Sequence, residues 1–354
     1  MLRYASDFVR SRGGSIVPVF LMILVPLLLA VGLSVDYTSA VQTKSNMQNA
    51  LDAAILSITT LPKTTTLADR EKSLQQSFAA NGGQGSATLD SFVVAADGTA
   101  TAKASAHYPM PTNFMQIAKV DTVQVGVTSA VRKRPALVQT TFRVTKVSGY
   151  WNKTMTLYGT KFGDTVAKPL MTITYTYNGF GDPKGYGTAI VSTISGSTTT
   201  KVQQQVCTTA TVKNFNSLPS GAITQTSGSK KYVTTCADTF YPANGTGAVI
   251  DVSQMDSLYL QMDVPSGSPK VLKSNDPTTS NRLYIGTSTT TMPEVATGQT
   301  VDIFTAVPCG QTGYQAWEDG GNPVPADVSN ADFFYTVQGK CDFNQRPSNT
   351  VLTQ

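Results

Sequence analysis

The sequence predicts an α+β protein: an N-terminal transmembrane helix continuing into a long amphipathic helix, a small α+β module, then a mainly antiparallel β C-terminal domain with disulfides. Three observations predict it. An uncharged apolar run, SIVPVFLMILVPLLLAVGLSV, occupies residues 15–35. Apolar residues then recur every three to four positions from Tyr37 to Ile58. Beyond residue 135 the chain becomes threonine-rich and alternating, and it contains every cysteine. The expected divisions are a cytoplasmic tail at 1–14, the span at 15–35, a helix with its α+β module at 36–134, and a β-sandwich-like domain at 135–354.

At about 1.5 Å per residue the apolar run reaches about 30 Å, the thickness of a bilayer hydrocarbon core. Arg3, Arg10 and Arg12 precede it and Asp36 follows it. The positive-inside rule then places the N-terminus in the cytoplasm and exports the rest. The run is longer than the apolar core of a signal peptide, roughly 7–15 residues, and helical pattern continues past it. A retained membrane anchor is therefore expected. Pro18 and Pro26 weaken or kink such a helix, which membrane spans tolerate.

Tyr37, Ala40, Met47, Leu51, Ala54 and Ile58 form the apolar stripe of the helix that follows. Two readings stand: the stripe packs on the module behind it, or it also packs on equivalent helices in an assembly. Leu61-Pro62 ends this helix, and Thr66-x-x-Asp69 resembles a capping box that starts the next. Asn81-Gly82-Gly83 stops that second helix. Two alternating runs around Asp97-Gly98 predict a hairpin with a type I′ turn. A turn at 114–117 and a strand at 121–131 complete two helices on a three- or four-stranded sheet. Arg132-Lys133-Arg134-Pro135 is expected as a solvated basic linker.

Arg12-Gly13-Gly14, the apolar helix, Val35-Asp36-Tyr37 at its exit and Gln48-Asn49-Ala50-Leu51-Asp52-Ala53-Ala54 together resemble the N-terminal segment of TadE/TadG-like proteins of Tad (Flp) pilus-assembly systems. The likeness is close over residues 10–60 and looser to 134. It implies a bacterial inner-membrane, single-pass protein with its C-terminal domain in the periplasm or outside the cell. Implied partners are membrane lipid, other Tad proteins or pilins, and further copies through the N-terminal helix. Prepilin processing favours Glu five residues after the Gly. Val19 stands there, which points to the unprocessed TadG-like branch. The Asp-x-Ser-x-Ser metal motif of larger TadG-like proteins is missing, since Asp251-Val252-Ser253-Gln254-Met255 lacks the last Ser.

In the C-terminal stretch, short alternating runs such as LMTITYTYNGF and SLYLQMDV predict many strands, because β-branched Thr suits a pleated surface. Export makes disulfides the expected state of Cys207, Cys236, Cys309 and Cys341. Of the three possible pairings, Cys207–Cys236 and Cys309–Cys341 are expected, because each closes a loop of about 30 residues.

Composition narrows the function classes. Charged residues make up 14% of the chain, against roughly 25% in soluble proteins. Most of the net charge of +5 falls in residues 1–135, with 12 Lys/Arg against 8 Asp/Glu, but no segment concentrates positive charge as nucleic-acid binding needs, so such binding is not expected. The one histidine, His107, sits beside no carboxylate or cysteine and reads as a surface residue. No nucleotide loop, nucleophile elbow or zinc-protease motif occurs, and Asp164, Asp182, Asp238 and Asp263 read as turn residues. Trp317 to Asn322, with Glu318, Asp319 and nearby Asp327, is a candidate calcium loop or a plain loop anchored by Trp317. Tyr150-Trp151 and Phe333-Phe334-Tyr335 read as core or as an aromatic binding face. The expected protein has no cofactor and no catalytic residues, and it works by docking, as a minor pilin or tip-like subunit. Competing readings are a tethered glycan- or surface-binding adhesin and a hydrolase with an unusual carboxylate site.

Overall fold

The computed structural model describes residues 16–320 and 327–353. The expected cytoplasmic tail, Ser15, and Gly321 and Asn322 of the candidate calcium loop lie outside them. The chain forms two units. One is Met1–Arg134 with Pro347–Gln354, and the other is Pro135–Arg346. The last residues thus return to the first unit instead of ending the β domain.

In the first unit, span and amphipathic helix are one continuous α1, Ile16–Ile58, 43 residues long. The side chains of Val17 to Val35 are almost all exposed. The helix is long and apolar enough to cross a membrane. From Gly32 onward one face is buried: Gly32, Asp36, Met47, Ala50, Leu51, Ala54, Ile55 and Ile58, with Ala40 half-buried. These recur at the helical period, so one stripe runs the length of the second half of the helix. Tyr37 lies one residue past Asp36, about 100° around the helix, and is 69% exposed. It does not belong to the stripe that Met47, Leu51, Ala54 and Ile58 share.

Helix α2, Leu67–Ala80, is capped by Thr66, whose hydroxyl accepts from the Asp69 N–H at 3.1 Å. Strands β1 (Ser86–Val94), β2 (Ala100–Pro111), β3 (Thr122–Lys133) and β17 (Thr350–Leu352) form an antiparallel sheet in the order β1-β2-β3-β17. Its inward face carries Ala87, Ala102, Ala104 and Ala106, packed with the α1 stripe, Leu74 and Phe78. Small side chains let the helix lie close to the sheet. The β1–β2 connection is not a type I′ turn. Gly98 alone takes positive φ (82°), and the Ala95 N–H reaches the Thr99 carbonyl at 2.8 Å. The Asp97 carboxylate accepts from the Thr99 N–H (2.9 Å) and hydroxyl (3.0 Å).

The carboxyl end of α1 is closed by two buried cations. Arg70 donates to the carbonyls of Ile58 (2.6 Å) and Pro62 (2.5 Å), and Lys133 to that of Thr59 (2.7 Å). Cations there satisfy orphan carbonyls and oppose the negative end of the helix dipole. Lys133 is therefore not in a solvated linker. It is an inward residue of β3, and burial, with Arg70 nearby, lowers its pKa to about 8.

The second unit is two antiparallel sheets around a main core, with a smaller separate cluster of Tyr284, Met292, Ala316 and Ala331. The strands in chain order are β4 (Ala136–Val147), β5 (Lys153–Lys161), β6 (Lys168–Tyr177), β7 (Gly187–Ser195), β8 (Thr198–Val212), β9 (Ile223–Ser227), β10 (Lys230–Phe240), β11 (Ala248–Asp251), β12 (Met255–Asp263), β13 (Val271–Lys273), β14 (Leu283–Gly286), β15 (Thr312–Trp317) and β16 (Phe333–Asp342). The orders are β13-β12-β5-β6-β7-β8-β10-β9 and β11-β4-β16-β15-β14. Met155, Ile173 and Val191 of the first sheet pack with Phe142, Phe333 and Tyr335 of the second. β11 leaves β4 at Phe142. Beyond it, Gln203 of β8 takes over, bonding both the N–H and the carbonyl of Val144 at 3.0 Å. Gln205 donates to the Thr145 carbonyl at 3.0 Å. Side chains of one sheet thus complete the backbone pairing of the other.

Both disulfides are present. Cys207–Cys236 joins directly opposed residues of β8 and β10, and Cys309–Cys341 ties the loop before β15 to β16. Loops of this size correspond to about 3–4 kcal/mol in the chain-entropy account. Replacing Cys309 and Cys341 together by Ala is expected to lower the stability of this unit by about that amount. Urea denaturation followed by tryptophan fluorescence checks it, since both tryptophans, Trp151 and Trp317, lie in this unit.

Candidate functional site

Two places concentrate unusual chemistry, one in each unit. The first is the exit of α1 from its apolar stretch. Asp36 is buried in the fold, and its carboxylate accepts three successive backbone N–H groups: Asn113 at 3.0 Å, Phe114 at 2.9 Å and Met115 at 2.8 Å. These donors open the short 3-10 helix Met115–Ala118, whose first amides have no partner of their own. One turn earlier, Gly32 faces Phe114. A Cβ on Gly32 would stand 2.5 Å from the Phe114 Cβ, so only glycine admits this contact. Asp36, with Gly32 one turn before it, thus locks the β2–β3 loop to the helix.

Further along, Asp52 accepts from the Ser129 hydroxyl (2.5 Å) and from Gln48 (2.9 Å), and Gln48 also donates to the Thr128 carbonyl (3.0 Å). Gln48 and Asp52 therefore tie α1 to β3, while Ala50 and Ala54 supply the close approach.

The second place is in the β unit. Glu318 and Asp319, expected in a loop, directly follow β15 and are buried. With Asp332, just before β16, their carboxylates lie within 4.8 Å of one another. The Lys153 ammonium, fully buried, stands 2.6 Å from Asp319 and 3.6 Å from Asp332, and it also donates to the Ser148 carbonyl at 2.9 Å. The cluster thus has its own cation, with which a bound metal would compete. Burial raises Asp332 to about 7. Lys153 opposes that rise, and Asp319 and Glu318 add to it. Asp327 is not part of the group. It is exposed and accepts from the Ser329 N–H at 2.8 Å. Asp332 escaped sequence reading because it is far from Lys153 in the chain and the two meet only across the sandwich.

The remaining candidates disperse. His107 is exposed on β2. Asp182 organises a turn through the N–H groups of Lys184 (3.1 Å) and Tyr186 (3.1 Å). Asp238 lies within β10, not in a turn, and accepts from Gln205 at 3.0 Å. Phe333 and Tyr335 are core, whereas Tyr150 is exposed and packs edge-on against Tyr177.

These features define a membrane-associated protein: a helix long enough to cross a bilayer, an α+β unit built on that helix, and a disulfide-braced β unit. Residues 14–57 match the family of putative Flp pilus-assembly TadE/G-like proteins. The match covers the apolar stretch, the Asp36 lock and the Gln48–Asp52 tie. No curated protein and no solved structure matches the chain.

Two outcomes are expected. Asp36→Ala, in detergent-solubilised protein, raises hydrogen exchange at the Asn113, Phe114 and Met115 amides at least several-fold. Asp36→Asn, which keeps acceptor oxygen, gives a smaller rise. For Asp332, the folded chain holds its proton up to about pH 7, while the unfolded chain releases it near pH 4. Between those values the folded state binds more protons, so this residue's contribution grows as pH falls. Subtracting the stability–pH curve of Asp332→Asn from that of the wild type isolates a limb that declines from about pH 4 to about 7.

Proposed function

We propose that the protein is a membrane-anchored structural component of a Tad (Flp) type pilus-assembly system, acting by protein–protein docking as a minor pilin or tip-like subunit. The observation that carries this reading is the position of the TadE/G-like segment, residues 14–57. It coincides with the helix that is apolar along its first part and forms the core of the first unit along its second. Anchor and scaffold are one element, which suits a part that transmits position more than one that turns over a substrate.

In this reading the N-terminus is cytoplasmic, and both units stand on the periplasmic or outer side, where Cys207–Cys236 and Cys309–Cys341 oxidise. Met47, Leu51, Ala54 and Ile58 are occupied inside the subunit. Docking to other Tad proteins, pilins or further copies therefore uses what α1 leaves free, its apolar first part with Tyr37 and Val41. The threonine-rich β unit presents a separate surface for contact with partners.

Deleting the gene is expected to reduce the number of pili and the adhesion of the cells, and re-expression to restore both. Normal piliation and adhesion in the deletion strain would reject the role. Retained piliation combined with lost attachment to a surface polysaccharide would move the protein to the class of tethered adhesins.

A further inference from the structure

The β2–β3 loop, Thr112–Asp121, carries three apolar side chains that its own unit leaves uncovered. Phe114 is 43% exposed, Ile117 74% and Val120 36%. It is pinned to α1 at a definite height. Phe114 rests on Gly32, and the N–H groups of Asn113, Phe114 and Met115 are held by Asp36. Gly32 lies three residues inside the end of the uncharged run. At about 1.5 Å per residue that is about 4–5 Å below Val35. If α1 crosses a bilayer, Phe114 stands at the outer boundary of the hydrocarbon, beside the lipid-facing Val31, Leu33 and Val35.

We propose that this loop is a second membrane contact, with Phe114, Ile117 and Val120 seated among the acyl chains and head groups of the leaflet from which α1 emerges. The occupant is the bilayer itself.

Backbone satisfaction fits that environment. Irregular chain enters a membrane boundary only where its polar groups have partners. Besides the three amides on Asp36, the Thr112 N–H donates to the Asp121 carbonyl, that of Ile117 to Phe114, that of Lys119 to Gln116 and that of Val120 to Met115, at 2.9–3.1 Å. The charge pattern fits too. The loop's one acid, Asp121, stands at its end next to β3; residues 112–120 hold none, and their one cation, Lys119, sits at the end of the 3-10 helix in left-handed backbone (φ 63°). A lysine there reaches lipid phosphates while the neighbouring apolar groups go deeper. With two attachments, the span and the loop, the first unit loses the freedom to swivel about α1.

The proposal rests on α1 spanning the membrane but not on a pilus role, and its test involves no pili. Full-length protein with Ile117→Cys is labelled with the fluorophore NBD; the four native cysteines are disulfide-bonded. It is reconstituted into phosphatidylethanolamine–phosphatidylglycerol vesicles. Resistance to alkaline carbonate extraction establishes insertion, and loss of the protein on extraction overturns the proposal together with the span. Ala96→Cys, exposed in the turn at the other end of β2, is the comparison. At position 117, emission is expected to shift to the blue, nitroxide lipids to quench it, and aqueous iodide to quench it several-fold less than at position 96. Iodide quenching equal to that at 96, or shielding from both quenchers, overturns the proposal. Because Ile117 is largely exposed, its replacement leaves the fold intact. A Phe114→Ser, Ile117→Ser double variant in the labelled Val120→Cys background is expected to lose the nitroxide quenching. Retained quenching would show that these side chains do not seat the loop.

Discussion

Asp36 stands where α1 changes solvent. Before it, the helix satisfies its own backbone and shows apolar side chains on every side, as a lipid environment demands. After it, one face must bury against protein while the other meets water. A carboxylate at that junction is costly unless it is bonded, and three backbone N–H groups of a neighbouring loop bond it. The bonds fix the β2–β3 loop against the helix. The loop joins the two central strands of the sheet, and the sheet's alanine face determines how closely α1 can lie. Much of the first unit follows from this junction.

The other end of the same helix shows the complementary solution. Its last carbonyls would be buried without partners if the chain simply turned away. Arg70 reaches them from α2, the next element, and Lys133 from β3, 74 residues on. Charged residues that look like linker or surface in one dimension act here as helix caps. β17 adds a fourth strand by pairing with β3, so residues 350–352 extend the sheet begun by β1 to β3.

In the β unit, polar groups are likewise placed where backbone pairing runs out. Gln203 and Gln205 continue β4 beyond the end of β11, and Lys153 crosses the sandwich to neutralise carboxylates gathered at the ends of β15 and β16. A buried pair of this kind contributes little net stability compared with apolar packing, whereas removing one partner leaves a charge buried and unpaired. The TadE/G-like match ends at residue 57, so this second unit draws its shape from its own pattern of threonines, glutamines and cysteines.

By itself the sequence determined what depends on local chemistry: the apolar span, the capped second helix, the alternation of the strands, and both cysteine pairings through loop length. It also identified the segment that matches the TadE/G-like family. Period alone could not say which side of α1 would be buried at its exit, since Tyr37 and Asp36 are neighbours and the β2–β3 loop selects between them. Nor could it foresee Lys133 as a cap, Asp332 beside Lys153, or β17 in the first unit. Each of these depends on two segments meeting after the chain has folded. Propensity and spacing act within a few residues, whereas the burial of a charge is decided by whatever arrives from elsewhere to satisfy it.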